Sequence, residues 1–170
     1  MINPQLVVFV GFFIYAFSLG AMFPRLDDIQ TSLAIDKAEL GLLLLCIPLG
    51  LQVTLVFADR LVRAIPLKNI ICIGIPSICF MQFAAVAINQ ISFFAFFLIV
   101  CGSFVAVVEV AINLEADRVE HALGSRIMNR SHAFWSIGFF SAAVVGALFS
   151  QFKVMLEIHF LLICMISFVI

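Results

Sequence analysis

The stretch ISFFAFFLIVCGSFVAVVEVAINL, from Ile91 to Leu114, decides the fold. Its polar members are Ser103, Glu109 and Asn113. A helix rises about 1.5 Å per residue, so roughly 20 apolar residues cross the ~30 Å hydrocarbon core of a bilayer. The stretch is long enough, and it does not alternate every second residue as a membrane barrel strand would. It reads as a transmembrane helix.

Working outward, five more apolar runs follow the same rule: Leu6–Phe23, Leu40–Ala58, Ile70–Ile88 (with Pro76 as an expected kink), His132–Phe149 and Met155–Ile170. The last is short and holds Glu157 and His159. It stops at Val169-Ile170 without the polar flank that normally anchors a span, so the sixth helix is expected to be truncated. The chain is 65% hydrophobic and 11% charged, against about half and about a quarter in soluble domains. That balance excludes a soluble or disordered chain. A net charge of -1 without a basic cluster argues against nucleic acid as a partner. The expected architecture is an all-α membrane protein, one six-transmembrane-helix bundle over residues 1–170.

Lys and Arg divide unevenly between the two sides. Arg60, Arg63, Lys68, Arg118, Arg126 and Arg130 fall in one set of loops, and Arg25, Lys37 and Lys153 in the other. The positive-inside rule then places the N-terminus in the cytoplasm. Cys46, Cys72, Cys79, Cys101 and Cys164 lie in apolar runs, without CxxC pairs or metal-ligand spacing, and read as small buried hydrophobes. No metal or other cofactor is expected.

Ionisable residues inside a span are expensive and therefore informative. Glu109 must face protein or a water-filled cavity, or carry a proton. Desolvation favours the neutral form of a carboxyl group, so a glutamate in such a place can take up and release a proton. Gly102, Ala106, Glu109 and Asn113 share one helix face. Structural pairing with a neighbouring helix is the alternative reading of Glu109. Tyr15, on a face with Gly11, Ser18 and Met22, either lines a cavity or is simply packed. His132 and Trp135, one turn apart, either form part of a solute site or sit at the membrane interface, where Trp is common. Gly138, Ala142 and Gly146 form a seam for close helix packing. Arg25, Asp27 and Asp28 read as a solvated loop cluster, and Glu157 and His159 as interfacial.

Three stretches resemble the N-terminal half of a major facilitator superfamily transporter, with the nearest likeness to the sugar-type branch that includes fucose permease. They are Leu33–Leu43, the Glu109-Val110-Ala111-Ile112-Asn113 pattern, and Gly124–Phe134 followed by Ser136, Gly138 and Gly146. The resemblance implies half of a twelve-helix fold that works by alternating access. It implies that Glu109 couples proton entry to solute movement and that Asn113 lies on the substrate side. The family's inner loop between helices two and three carries an Asp-Arg pair and a further arginine as gating residues. Asp59, Arg60 and Arg63 stand in those places, while Leu55 and Val62 replace the flanking glycines.

The expected function is proton-coupled transport of a small polar, sugar-like solute across a cell membrane, the inner membrane of a bacterium, with this chain as the N-terminal half or a fragment. Its partners are the solute, protons, lipid, and a second half or second copy of the chain. The competing reading is a non-transporting truncated remnant or membrane interaction protein. An enzyme is not expected. Ser103, Ser136 and His132 are present, but no Gly-x-Ser-x-Gly nucleophile turn accompanies them.

Overall fold

The computed structural model describes residues 3–168. Among them, regular structure is entirely helical: α1 (Pro4–Gly20), a 3₁₀ turn (Phe23–Arg25), α2 (Leu26–Leu33), α3 (Lys37–Leu44), α4 (Cys46–Ala64), α5 (Leu67–Ile88), α6 (Ile91–Leu123), α7 (Met128–Gln151) and α8 (Leu156–Ser167). In a bilayer every backbone polar group needs an internal partner, and an apolar helix supplies one locally. Among the described residues the eight helices form six rods, because α1–α2 and α3–α4 each form one. Pro24 sits in the 3₁₀ turn between α1 and α2. Pro48 cannot donate to the Leu44 carbonyl, and the α3–α4 break at Leu45 lies just before it. Five of the rods are long and apolar enough to cross a membrane, and α8 is a shorter apolar helix. Val169 and Ile170, on which the expected end of the last span rested, lie outside the described residues.

Local chemistry fixes the helix ends. The Asn3 side chain accepts from the Gln5 N–H at 3.0 Å, and Pro4 occupies the first turn, where its missing N–H costs nothing. Asp36 and Glu39 form a capping box that starts α3. Asn89 and Gly124, both left-handed, end α5 and α6.

Rod α3–α4 packs on α6, α5 packs on α6 and α8, and α7 packs on α1. The rods touch at backbone level. A Cβ on Gly50 of α4 would overlap the Ile99 carbonyl of α6, and one on Gly102 of α6 would overlap the Ile47 carbonyl of α4. Gly138 of α7 meets the Phe13 carbonyl of α1 in the same way. The Gly138–Ala142–Gly146 face is buried and serves as the close-packing seam its spacing predicts. Two apolar clusters fill the interior. One is built around Tyr15, Ile75 and Val108, the other around Met22, Leu98 and Phe160.

Several expectations are corrected. The connection between the fourth and fifth apolar runs, expected as a loop carrying Arg118, Arg126 and Arg130, is helical as far as Leu123 and again from Met128. Asp59, Arg60 and Arg63, expected in an inner loop, lie in the last turns of α4. Charged residues extend a helix past the apolar core readily, because their side chains reach water while the backbone stays hydrogen-bonded. Within the Arg25 cluster Asp27 is exposed, but Arg25 is not solvated. Arg25 is 2% exposed and bonds Asp28 Oδ2 at 2.5 Å and the Val154 carbonyl at 2.7 Å. Its Nη1 lies 3.3 Å from Nδ1 of His159, which is fully buried rather than interfacial. Arginine only donates, so Nδ1 is the acceptor and the ring hydrogen sits on Nε2. Among the described residues that hydrogen finds no oxygen or nitrogen, and the ring meets Phe149 edge-on at 5.1 Å.

Candidate functional site

Helix α6 is buried on the flank carrying Val105, Val108 and Ile112. Gly102 and Ala106 continue the Glu109 face but are packed into the bundle. Below them the same face opens, and Glu109 is exposed there, with Asn113 half-exposed one turn on. Glu109 is thus not enclosed within this bundle. Its carboxylate lies on an open face and is met by one hydroxyl.

That hydroxyl belongs to Tyr15 of α1, which donates to Glu109 Oε2 at 3.2 Å. The Tyr15 ring is 2% exposed and packed in the first apolar cluster, so the phenol is held firmly and only its tip reaches the open face. The helix spacing on each rod puts both residues toward the α1–α6 crossing, which brings together two residues 94 positions apart. Such a pair can hold a carboxylate in place, and it frees a donor when the carboxyl is neutral or turned toward a ligand.

Asn113 does less than its position suggests. Its Nδ2 donates to the Glu109 backbone carbonyl at 2.8 Å, a bond within its own helix, and not to the Glu109 carboxylate. Its Oδ1 still points away from that bond. His132 and Trp135 belong to the α1–α7 contact. Exposed His132 meets Phe12 edge-on at 5.3 Å, and Trp135 stacks on Phe139 at 5.3 Å. Phe9 and Phe134 stack beside them at 4.9 Å. Trp135 packs against the cluster that contains Tyr15. Among the described residues no hydrogen bond joins His132 or Trp135 to Glu109. Asp59 and Arg63 form an exposed ion pair at 3.0 Å, and Arg60 is exposed beside them.

Sequence reasoning missed two arrangements. One is the Arg25–His159 contact described above. The other is Glu120, past the apolar part of α6, whose carboxylate accepts from the Ile127 and Met128 N–H groups at 2.7 and 2.9 Å. Those bonds hold its carboxyl below the usual carboxylate range. A glutamate a few residues before a new helix is the local signal that could have found it, since the start of α7 needs acceptors.

No family model matches the chain, and no solved structure gives a significant match. Two curated relatives do. The chain is 28% identical over 146 residues to an uncharacterized MFS-type transporter of Yersinia pestis, covering 86% of this chain and 37% of that protein. It is 28% identical over 163 residues to an uncharacterized transporter of Sinorhizobium fredii, covering 95% of this chain and 43% of that protein. The chain spans about two fifths of the length of these relatives. Their names point away from an enzyme and, with the apolar helices, toward a multi-pass membrane protein. The bundle is a membrane helical bundle similar, over most of its length, to less than half of each of two transporters, one of them of the MFS type.

Proposed function

We propose that this chain forms the N-terminal six-helix half of a major facilitator superfamily transporter, in the sugar-type branch, and that it moves a small polar solute by alternating access coupled to protons. The observation that carries the reading is the Tyr15–Glu109 hydrogen bond on the open face of α6. A carboxylate at bilayer depth is costly unless it faces a wet cavity or a partner. Here it has one hydroxyl donor and an otherwise open side, the arrangement a proton carrier needs if a second bundle closes over it. Glu109 is the coupling residue. Asn113, through Oδ1, and Trp135, as a stacking platform, are solute contacts; Tyr15 positions Glu109, and His132 lines the neighbouring α1–α7 edge. Asp59, Arg60 and Arg63 act at the gate, where the exposed ion pair exchanges partners with the second bundle. The second bundle is the remainder of a longer transporter or another copy of the chain. The six-cation end faces the cytoplasm of a bacterial inner membrane.

The test is uptake of radiolabelled monosaccharides, L-fucose among them, by cells expressing the transporter with and without Glu109→Gln. Loss of proton-driven accumulation with solute exchange retained supports the coupling role. Unchanged proton-driven accumulation overturns it. Absence of uptake for every sugar by the unmodified protein favours the non-transporting reading.

A further inference from the structure

A cleft of about 600 Å³ opens between α1, the first turns of α5 and the lower part of α6. Gly11, Ile71 and Ile112 are among its apolar walls, and Lys68, Glu115 and Arg118 stand at its mouth. The charges occupy one end of the cleft. Lys68 is in the first turn of α5, and Glu115 is the first residue after the apolar run of α6 ends at Leu114. The mouth therefore lies at the polar boundary of the bundle and the walls lie at hydrocarbon depth. Glu115 is six residues from Glu109, which places it about 120° around the helix. The α6 wall of the cleft, Ile112 and Glu115, thus turns away from Glu109, while Gly11 lies one turn before Tyr15 on the same face of α1, so the cleft adjoins the Tyr15–Glu109 pair. It borders an apolar surface, since Ile73, beside the lining residue Cys72, is 65% exposed.

The geometry points to a binding site for an anionic glycerophospholipid, with acyl chain along the walls and phosphate at Lys68 and Arg118. The shape suits an amphipath: an apolar groove of ordinary ligand volume with its polar groups at one end. Water gains nothing in the apolar part, and an unfilled groove forfeits dispersion contacts. The charge is complementary as well. Arg118 is paired with Glu115 at 3.6 Å, while Lys68 has no ion-pair partner among the described residues. The mouth carries one net positive charge, matched by one phosphodiester. Basic pockets between membrane helices hold lipid headgroups by this combination. Gly11 keeps the groove open, because a Cβ there would meet only Ile112 Cδ1, at an ordinary 3.4 Å.

The test is native mass spectrometry of the 170-residue chain in detergent with dioleoyl phosphatidylglycerol, dioleoyl phosphatidylcholine or glycerol 1-phosphate. Preferential retention of phosphatidylglycerol is expected. Lys68→Gln and Arg118→Gln should each weaken it about five-fold. Gly11→Leu should fill the groove and remove the adduct. Arg130→Gln, at an exposed position on α7 outside the cleft, should leave it unchanged. Equal retention of both lipids overturns the proposal, as does a loss in Arg130→Gln equal to that in Lys68→Gln. Glycerol 1-phosphate binding as tightly as the lipid would reduce the site to an anion site and overturn the acyl-chain assignment.

Discussion

The Tyr15 hydroxyl reaches the Glu109 carboxylate at 3.2 Å, from a ring buried in the core to a side chain on the bundle's open face. The two ends of this bond differ in burial, and that sets the first prediction. Tyr15→Phe keeps the ring packing and removes only the donor. Interhelical hydrogen bonds in membrane proteins average about 0.6 kcal/mol, so stability should fall by about 1 kcal/mol or less. Proton-driven uptake should fall several-fold, because the carboxylate loses the group that orients it. In a Glu109→Gln background the same change should have no further effect on coupling. A double-mutant cycle on uptake and on unfolding checks both. Additive effects on uptake would separate Tyr15 from the coupling step.

The reciprocal contact of Gly50 with Ile99 and Gly102 with Ile47 gives a stability prediction independent of function. A methyl group at either glycine must push α4 and α6 apart along their whole contact. Overpacking of this kind costs about 1–3 kcal/mol, or more when the obstacle is backbone. Gly102→Ala and Gly50→Ala should each lower the unfolding free energy in detergent by that amount. Gly41→Ala is the contrast. Nothing lies within 4 Å of its added Cβ, and alanine is favoured over glycine in a helix interior by roughly 0.5–1 kcal/mol. It should be neutral or stabilising.

The helices were legible in the sequence because a bilayer leaves the backbone few choices, and an apolar run of sufficient length must be helical. Helix extensions such as Asp59–Ala64 and Glu115–Leu123 were not, because their charges look the same on a helix in water as in a loop. Tyr15 and Glu109 each stood out on their own helix, but their pairing depends on how α1 crosses α6, which no local pattern encodes. Asn113 was found by position, yet its amide turned to its own backbone, a competition open to any asparagine in a helix. Arg25 was misread for a physical reason. An arginine after a proline at the end of an apolar run resembles a solvated helix end, and its partners at Val154 and His159 lie more than a hundred residues away.

The buried Arg25 makes Asp27 and Asp28 unequal. Asp28 Oδ2 bonds the Arg25 guanidinium, whereas Asp27 is exposed and bonds Thr31 only through its backbone carbonyl. Removing the partner of a buried charge costs more than the pair itself is worth. The Asp28 side chain is 35% exposed, so water recovers part of that cost. Asp28→Asn should destabilise by about 2 kcal/mol, and Asp27→Asn should be close to neutral. Chemical unfolding of the two variants side by side decides this. Equal effects would mean that the Val154 carbonyl and His159 suffice to hold Arg25.

Glu120 ties the end of α6 to the start of α7 through two backbone N–H groups, and its carboxyl is held below the usual range, chiefly by those bonds. A carboxylate with a lowered folded pKa contributes stability above its unfolded value, near 4.3, and loses it as pH falls through the folded value. The cap should therefore be complete at neutral pH and fail only on acidification below the unfolded value. Amide hydrogen exchange at Ile127 and Met128 reads it directly. Protection, corrected for the intrinsic acid dependence of exchange, should decline over that window in the unmodified chain. Glu120→Gln has no charge to lose, so its protection should be lower at neutral pH and flat across the same window. A protection profile in Glu120→Gln that still falls with acid would place the titrating group elsewhere, with Asp117 and Glu115 on the same helix extension the next to substitute.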